Sequence, residues 1–297
     1  MHLYGAKGDF TTQFHNFNLF RPYLHFGKKR RPIVTTMIDK IQVANIPVNL
    51  FTVSTLHETV REVVRDQDRR IFLHANARLL ELANTKEKWL VDFFNEPKNY
   101  VMCDGSGIQL AAKLTGQPVP EKIPYNIWIW SFAKFLEREK MTLFLLGADK
   151  KTIAAAKTEL ERHAKDIRVV GISHGYFSKT KNSPENIKTI DFINSCKPDV
   201  LLVGFGMPIQ ERWIKENVDA LDVRCIFSCG GAFDFISGNK PVAPKFIRMI
   251  HMEWLFRFML DPIRLFSRVS ISFLRFGKVL VKEVMGKNRN NTPLPLE

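Results

Sequence analysis

Residues 198–238 read PDVLLVGFGMPIQERWIKENVDALDVRCIFSCGGAFDFISG, and the fold follows from the pattern of this stretch. Val200 to Val203 is a short apolar run that ends in Gly204 and Gly206, and Pro208 opens a segment in which Ile209, Trp213 and Ile214 fall between polar residues at helical spacing. Strand, tight turn and amphipathic helix make half of a βαβ unit. A second run, Cys225 to Ser228, ends in its own glycine pair, Gly230 and Gly231, which permits close approach of backbone. In open parallel sheets ligands sit beyond the carboxyl ends of the strands, so two neighbouring strand-to-glycine turns predict a binding crevice. Gln210, Glu211 and Asp234 are the polar side chains expected to face it.

The same grammar recurs upstream. Thr55 to Asp66 has helical spacing, Arg70 to Leu73 reads as a strand, and His74 and Asn76 fall at its carboxyl end. Asn99 to Met102 is a further strand, followed by the turn Asp104-Gly105-Ser106-Gly107 and a helix with Ile108, Leu110, Ala111 and Leu114 as its apolar stripe. After a linker broken by Pro118, Pro120 and Pro124, helices over 129–139, 151–163 and 184–195 alternate with strands over 142–146 and 168–172. This alternation predicts an α/β fold with a Rossmann-like, doubly wound parallel sheet over residues 41–243.

The two ends have a different character. Residues 1–40 mix aromatics (Phe10, Phe14, Phe17, Phe20, Tyr23 and Phe26 among them) with the cluster Lys28, Lys29, Arg30 and Arg31 and show no sustained period, as expected of an extension outside the main domain. Residues 244–297 read as a helical, basic appendage: positions 245–289 hold ten Lys or Arg against three Asp or Glu. Were 263–282 a single helix, Arg264, Arg268, Arg275, Lys278 and Lys282 would share an arc of about 80°. A basic stripe with bulky apolar flanks suits an anionic membrane surface, and it suits packing onto a domain with the charged face in water.

Composition narrows the partners. The 297 residues carry 44 Lys or Arg against 30 Asp or Glu, so an acidic partner is expected: phosphate groups, nucleic acid or anionic lipid. No run of ~18 apolar residues predicts a spanning helix, and no apolar stretch with a cleavage site marks the amino terminus, so a cytoplasmic protein is expected. Cys103, Cys196, Cys225 and Cys229 lie in or beside predicted elements, as reduced thiols do, and no partner pair makes Cys225 and Cys229 a metal site.

Among residues able to carry chemistry, Asp104 stands out: a carboxylate at a strand tip beside glycines can take a proton from a hydroxyl, or cap the following helix. Asn76 can orient a substrate hydroxyl or satisfy its own turn, and His74 can donate a hydrogen bond, act as a base or serve structure alone. Asp66-Gln67-Asp68 has the D-x-D form of metal-dependent sugar transferases, but it ends an amphipathic helix among Arg65, Arg69 and Arg70, where surface ion pairing explains it. No metal site is expected. A departing diphosphate would then be met by cations and helix starts, for which the turns at 204–208 and 147–151 and the terminal arginines are candidates. Neither turn spells a dinucleotide or P-loop motif.

Taken together, HANARLL from His74, CDGSGIQLAAKLTG from Cys103, LLVGFGMPIQERWI from Leu201, GGAFDFISG from Gly230 and APKFIRMIHMEWLFRFMLDPIRLFSR from Ala243 resemble the WecG/TagA/CpsF bacterial glycosyltransferases, in family order over about residues 41 to 270. The resemblance implies inverting, metal-independent and cofactor-free transfer of a hexose or N-acetylhexosamine-type sugar. The donor would be a UDP-sugar and the acceptor a polyprenyl-diphosphate-linked saccharide, in the assembly of exopolysaccharide or another cell-surface polysaccharide. It implies a peripheral place on the inner face of the membrane, no nucleic-acid partner, and a possible homo-oligomer. By the same analogy Asp104 is the general base, and His74, Asn76, Lys122, Gln210, Gly204 and Gly206 touch substrate, with Arg257 and Arg264 near the diphosphate. The chain departs from the family pattern where His74 replaces a Thr, Lys122 an Arg and Val242 an Arg, and where Tyr125-Asn126 stands in place of a glycine-containing turn; these positions bear on the choice of donor. Two rivals remain: a basic nucleic-acid-binding protein, and a nucleotide-binding scaffold without catalysis.

Overall fold

The computed structural model describes residues 38–249, 253–260, 277 and 281. Its elements run in chain order as β1 (Lys40–Val43), β2 (Ile46–Asn49), α1 (Val53–Arg65), β3 (Arg70–Ala75), α2 (Ala77–Ala83), α3 (Trp89–Asn95), β4 (Asn99–Cys103), α4 (Ser106–Leu114) and α5 (Tyr125–Glu139). They continue as β5 (Thr142–Gly147), α6 (Lys150–His163), β6 (Arg168–Ser173), α7 (Pro184–Cys196), β7 (Val200–Gly204), α8 (Ile209–Asn217), β8 (Cys225–Ser228), α9 (Ala232–Ile236), α10 (Lys245–Met249) and α11 (Glu253–Leu260).

Six strands form one parallel sheet in the order β4-β3-β8-β7-β5-β6, and β1 and β2 form a separate antiparallel hairpin. Successive strand residues point to opposite faces, and the core divides accordingly. Ile71, Leu73, Val101, Leu201, Val203 and Ile226 belong to one apolar cluster with the inner faces of α2, α3, α4, α7 and α8. Phe72, Met102, Leu143, Leu202 and Phe227 belong to the other, with α1, α5, α6 and α9. Helices on both faces of a parallel sheet are the doubly wound arrangement that the alternating pattern predicts.

Helices α8 and α4 are among those that begin at the carboxyl edge of this sheet. Helix α8 is fixed from below by a buried chain of hydrogen bonds: Trp213 Nε1 donates to Asn186 Oδ1 at 2.7 Å, Asn186 Nδ2 to Asn217 Oδ1 at 2.8 Å, and Asn217 Nδ2 back to the Trp213 carbonyl at 2.8 Å. Its first turn therefore holds a set position against α7. Helix α4 departs from expectation in its rotation. Ile108, Ala111 and Ala112 are buried, while Leu110 and Leu114 are 49% and 51% exposed, because the two small alanines let the backbone lie close on the sheet and turn the leucines outward.

A hollow of about 690 Å³ lies among α1, α5 and α6, lined in part by His57, Arg61, Trp130 and Arg138. His57 stacks on Phe135 with ring centres 4.5 Å apart and accepts from Trp128 Nε1 at 3.1 Å. Burial, then the nearby Arg138 and Arg61 charges, push its pKa down from 6.5 to about 4. The folded state thus resists a proton that the unfolded chain takes up, so this stability is present above pH 6.5 and is lost as pH falls through about 4. For a partly exposed ring we expect a loss on the order of 1–2 kcal/mol. The drop in Tm between pH 7 and pH 4.5 should shrink in His57→Gln, which keeps an acceptor for Trp128; an equal drop removes His57 as its source.

Candidate active site

At the carboxyl ends of β3 and β4 two loops lie against each other. Asn76, in extended backbone, caps α2 by accepting from Leu79 N at 3.1 Å. A Cβ placed on Gly105 would stand 3.3 Å from Asn76 Cβ, so a side chain there would press Asn76 back by a few tenths of an ångström. Asp104 extends the parallel pairing by one residue, its N–H donating to the Ala75 carbonyl at 3.0 Å. Its side chain does not cap α4, whose start at Gly105 makes no side-chain cap bond. Instead Asp104 Oδ1 accepts from the N–H of Tyr125, the first residue of α5, at 3.4 Å. That bond from the helix start fixes where the carboxylate points. Beside it, Lys122 Nζ donates to Ser106 Oγ at 3.2 Å, on a loop held by Ile123 N–H to the Cys103 carbonyl at 2.7 Å. Both charges reach the Cys103 thiol beneath: burial first and then Asp104 raise it, Lys122 opposes them, and it stands at about 12.

The turns after β7 and β8 meet on one side chain. Gln210 is fully buried, and its Oε1 accepts from the N–H of Gly206 at 3.2 Å and of Gly230 at 2.9 Å. Its Nε2 donates to Glu211 Oε1 at 2.8 Å. Gly204 allows close packing: a Cβ there would lie 2.6 Å from the Phe233 ring and 2.9 Å from the Gly230 carbonyl oxygen. Between the two pairs of turns stands His74, whose Nδ1 lies 2.9 Å from the Ser228 carbonyl and 3.0 Å from Ser228 Oγ, and whose ring meets Tyr125 edge-on at 5.8 Å. The link is direct: Asp104 to Tyr125, Tyr125 to His74, His74 to β8, and β8 through Gly230 to Gln210 and the β7 turn. Asp104 and Gly204 end strands three places apart in the sheet, about 14 Å by strand spacing.

A hollow of about 520 Å³ opens at the β7 end of this rim, lined by Ala148, Gly175, Phe177, Lys179, Gly204 and Phe205 among others. Lys179 Nζ sits 4.7 Å from the centre of the Phe177 ring and 4.6 Å from that of Phe205, and it donates to the carbonyls of Gly175 and Phe177. Burial lowers its pKa from the ordinary lysine value. A half-buried cation between two aromatic faces at a strand end suits an anionic, partly aromatic ligand. The lysine did not stand out in the sequence; the available signal was the aromatic run Tyr176-Phe177 just before it, following a strand.

The other expected residues fall elsewhere. Asp149 accepts from the N–H groups of Lys151 and Thr152, so the start of α6 is occupied by its own carboxylate and does not offer those amides to a ligand. Glu211 is buried beneath the rim rather than facing the crevice. Asp234 pairs with Lys240. The D-x-D carboxylates lie at the amino end of β3, opposite the crevice, where Asp66 pairs with Arg65 at 2.9 Å and Asp68 with Arg70 at 2.8 Å. Arg257 falls within α11, but its side chain is outside the described residues, as is Arg264 altogether. Among the described residues no helix is long and apolar enough to cross a membrane.

A family model described as "Glycosyl transferase WecG/TagA/CpsF family" matches residues 41–290, a span holding every element of the rim. The chain belongs to this family. A protein from Staphylococcus aureus strain NCTC 8325 / PS 47, named N-acetylglucosaminyldiphosphoundecaprenol N-acetyl-beta-D-mannosaminyltransferase, is 25% identical over 250 residues, covering 84% of this chain and 95% of its own length. The protein of the same name from strain MRSA252 gives the same identity and coverage. The chain is thus a glycosyltransferase, on a Rossmann-like sheet whose carboxyl edge carries the polar groups of the rim.

Proposed function

We propose that this glycosyltransferase moves a hexose or N-acetylhexosamine-type sugar from a UDP-sugar to a polyprenyl-diphosphate-linked saccharide, with inversion, during cell-surface polysaccharide assembly. The observation that carries the reading is the carboxylate of Asp104, held at the tip of β4 by the first amide of α5 and joined along one rim to the paired glycine turns of β7 and β8. The relatives' names support the acceptor class: they act on an N-acetylglucosaminyl-diphosphoundecaprenol and transfer an N-acetylmannosaminyl group.

In this reading the nucleotide lies in the hollow at β7, its base against Phe177 or Phe205, with the diphosphate towards Gly206 and Lys179. The acceptor hydroxyl attacks the anomeric carbon from the face opposite the diphosphate, and Asp104 takes the hydroxyl proton as the new bond forms. The bond from the anomeric carbon to the diphosphate oxygen breaks, and UDP leaves with that electron pair. Backbone N–H groups, Lys179 and the arginines Arg257 and Arg264 of the basic tail neutralise the leaving charge, without a divalent ion. The tail also holds the enzyme against the anionic membrane where its acceptor resides.

The test is a screen of UDP-glucose, UDP-N-acetylmannosamine and UDP-N-acetylmannosaminuronate with a short-chain lipid-linked acceptor, in the presence of a chelator. Acceptor-dependent UDP release with one of them is expected, and a chain ending at Val242 should lose both this activity and sedimentation with anionic vesicles. Release only on addition of a divalent ion overturns the metal-free reading. A truncated chain that keeps both properties removes the tail from the mechanism.

A further inference from the structure

Glu211 carries a carboxyl group where packing alone does not ask for one. The residue is 0% exposed, its Oε1 accepts from Gln210 Nε2 at 2.8 Å, and its Oε2 is buried with no hydrogen-bond partner among the described residues. A methionine or leucine would fill the same space without the cost of desolvating a carboxyl.

What Glu211 determines is the direction of its neighbour's amide. Gln210 can turn that amide either way, but Gly206 N–H and Gly230 N–H both point at one end of it. Reversed, the side-chain NH₂ would face two N–H donors, and the oxygen would face an acceptor on Glu211. The observed orientation satisfies all three bonds, and it requires an acceptor at position 211. The groups tied in this way are not core elements; they are the two turns at the ligand end of the sheet.

We propose that Glu211 is a positioning residue of the transfer site: by accepting from Gln210 it locks the amide that ties the Gly206 and Gly230 turns at a fixed spacing, and so shapes the cradle for the donor diphosphate. The inference rests on the donor placement proposed for the β7 hollow. Burial raises the pKa of Glu211, against the opposing influence of His74, and a carboxyl in either protonation state still presents an acceptor oxygen to Gln210.

Two variants separate positioning from mere structure. Glu211→Met keeps the volume and removes the acceptor; Glu211→Gln keeps an acceptor oxygen. In the full chain, Glu211→Met should raise the donor KM and the Kd for UDP about tenfold, with the acceptor KM unchanged, and Glu211→Gln should return both donor constants to within about threefold of the parent. Hydrogen–deuterium exchange of peptides containing Gly206 and Gly230 should quicken in Glu211→Met alone. Unchanged donor constants in Glu211→Met, or a fall only in the amount of active protein, overturns the proposal. Should the parent bind no UDP, the donor placement falls, and exchange decides the brace: equal protection in Glu211→Met and the parent removes it. If Glu211→Met does not fold, the swapped pair Gln210→Glu with Glu211→Gln takes its place. The swap should recover the protection and donor binding that Gln210→Glu alone loses, and failure to recover them counts against the brace.

Discussion

Asp104→Asn is expected to lower turnover at least ~10²-fold while the protein stays folded. The asparagine oxygen can still accept from Tyr125 N–H, the bond that aims this side chain, so the geometry survives and only the capacity to take a proton is lost. The effect should fall on kcat, with the donor KM and Tm close to those of the parent, because the hollow proposed for the nucleotide begins three strands away at Gly204. A steady-state comparison with thermal melts on the same samples checks this. Near-normal turnover in Asp104→Asn would take the carboxylate out of the chemistry and leave the rim as a binding surface alone.

The largest effect on stability is expected at Gly147, where β5 meets β7. Its φ is +149°, and a Cβ added there would lie 2.3 Å from the carbonyl oxygen of Gly204, which is backbone and cannot swing aside. Strain and overpacking together put the cost of Gly147→Ala at about 2–5 kcal/mol, or a Tm lower by on the order of 10 °C. Gly206 supplies the contrast. It also has positive φ, +84°, but nothing lies within 4 Å of an added Cβ, so Gly206→Ala should cost only the left-handed backbone penalty, about 1 kcal/mol. Equal losses in the two variants would mean that conformation, not the contact with Gly204, sets the requirement for glycine.

Strands β3 to β8 and most of their helices were legible because each pairs a short apolar run with a glycine or Asp/Asn turn, signals carried within about ten residues. The place of Asp104 at a strand tip was legible for the same reason. What could not be read locally is which way a polar group at a strand tip faces. Gln210 and Glu211 next to a glycine turn read as ligand-facing, yet their burial is decided by β8, which arrives from later in the chain and brings Gly230 N–H to the far side of the amide. Asn76 carried a reading as a substrate contact and one as a residue satisfying its own turn, and in the structure its side chain caps α2. The outward leucines of α4 were missed because Leu110 and Leu114 stood in the apolar stripe with Ile108 and Ala111 while Ala112 was left out, although small size is what wins a close seat on the sheet. The β1–β2 hairpin went unread too: its turn residues Ala44 and Asn45 both have positive φ without the glycine that usually marks such a turn.

The place of β8 has a consequence for synthesis. Strands β3 and β4 pair with each other, β5 pairs with β6 and β7, and among the described residues only β8 joins the two sets, by entering between β3 and β7. Until Cys225 to Ser228 leave the ribosome, the nascent chain owns two half-sheets with exposed inner edges and no common rim. Asp104 and the β7 turn are then strangers on separate pieces. An interrupted message therefore yields no partly working transferase, only fragments with edges open to mispairing.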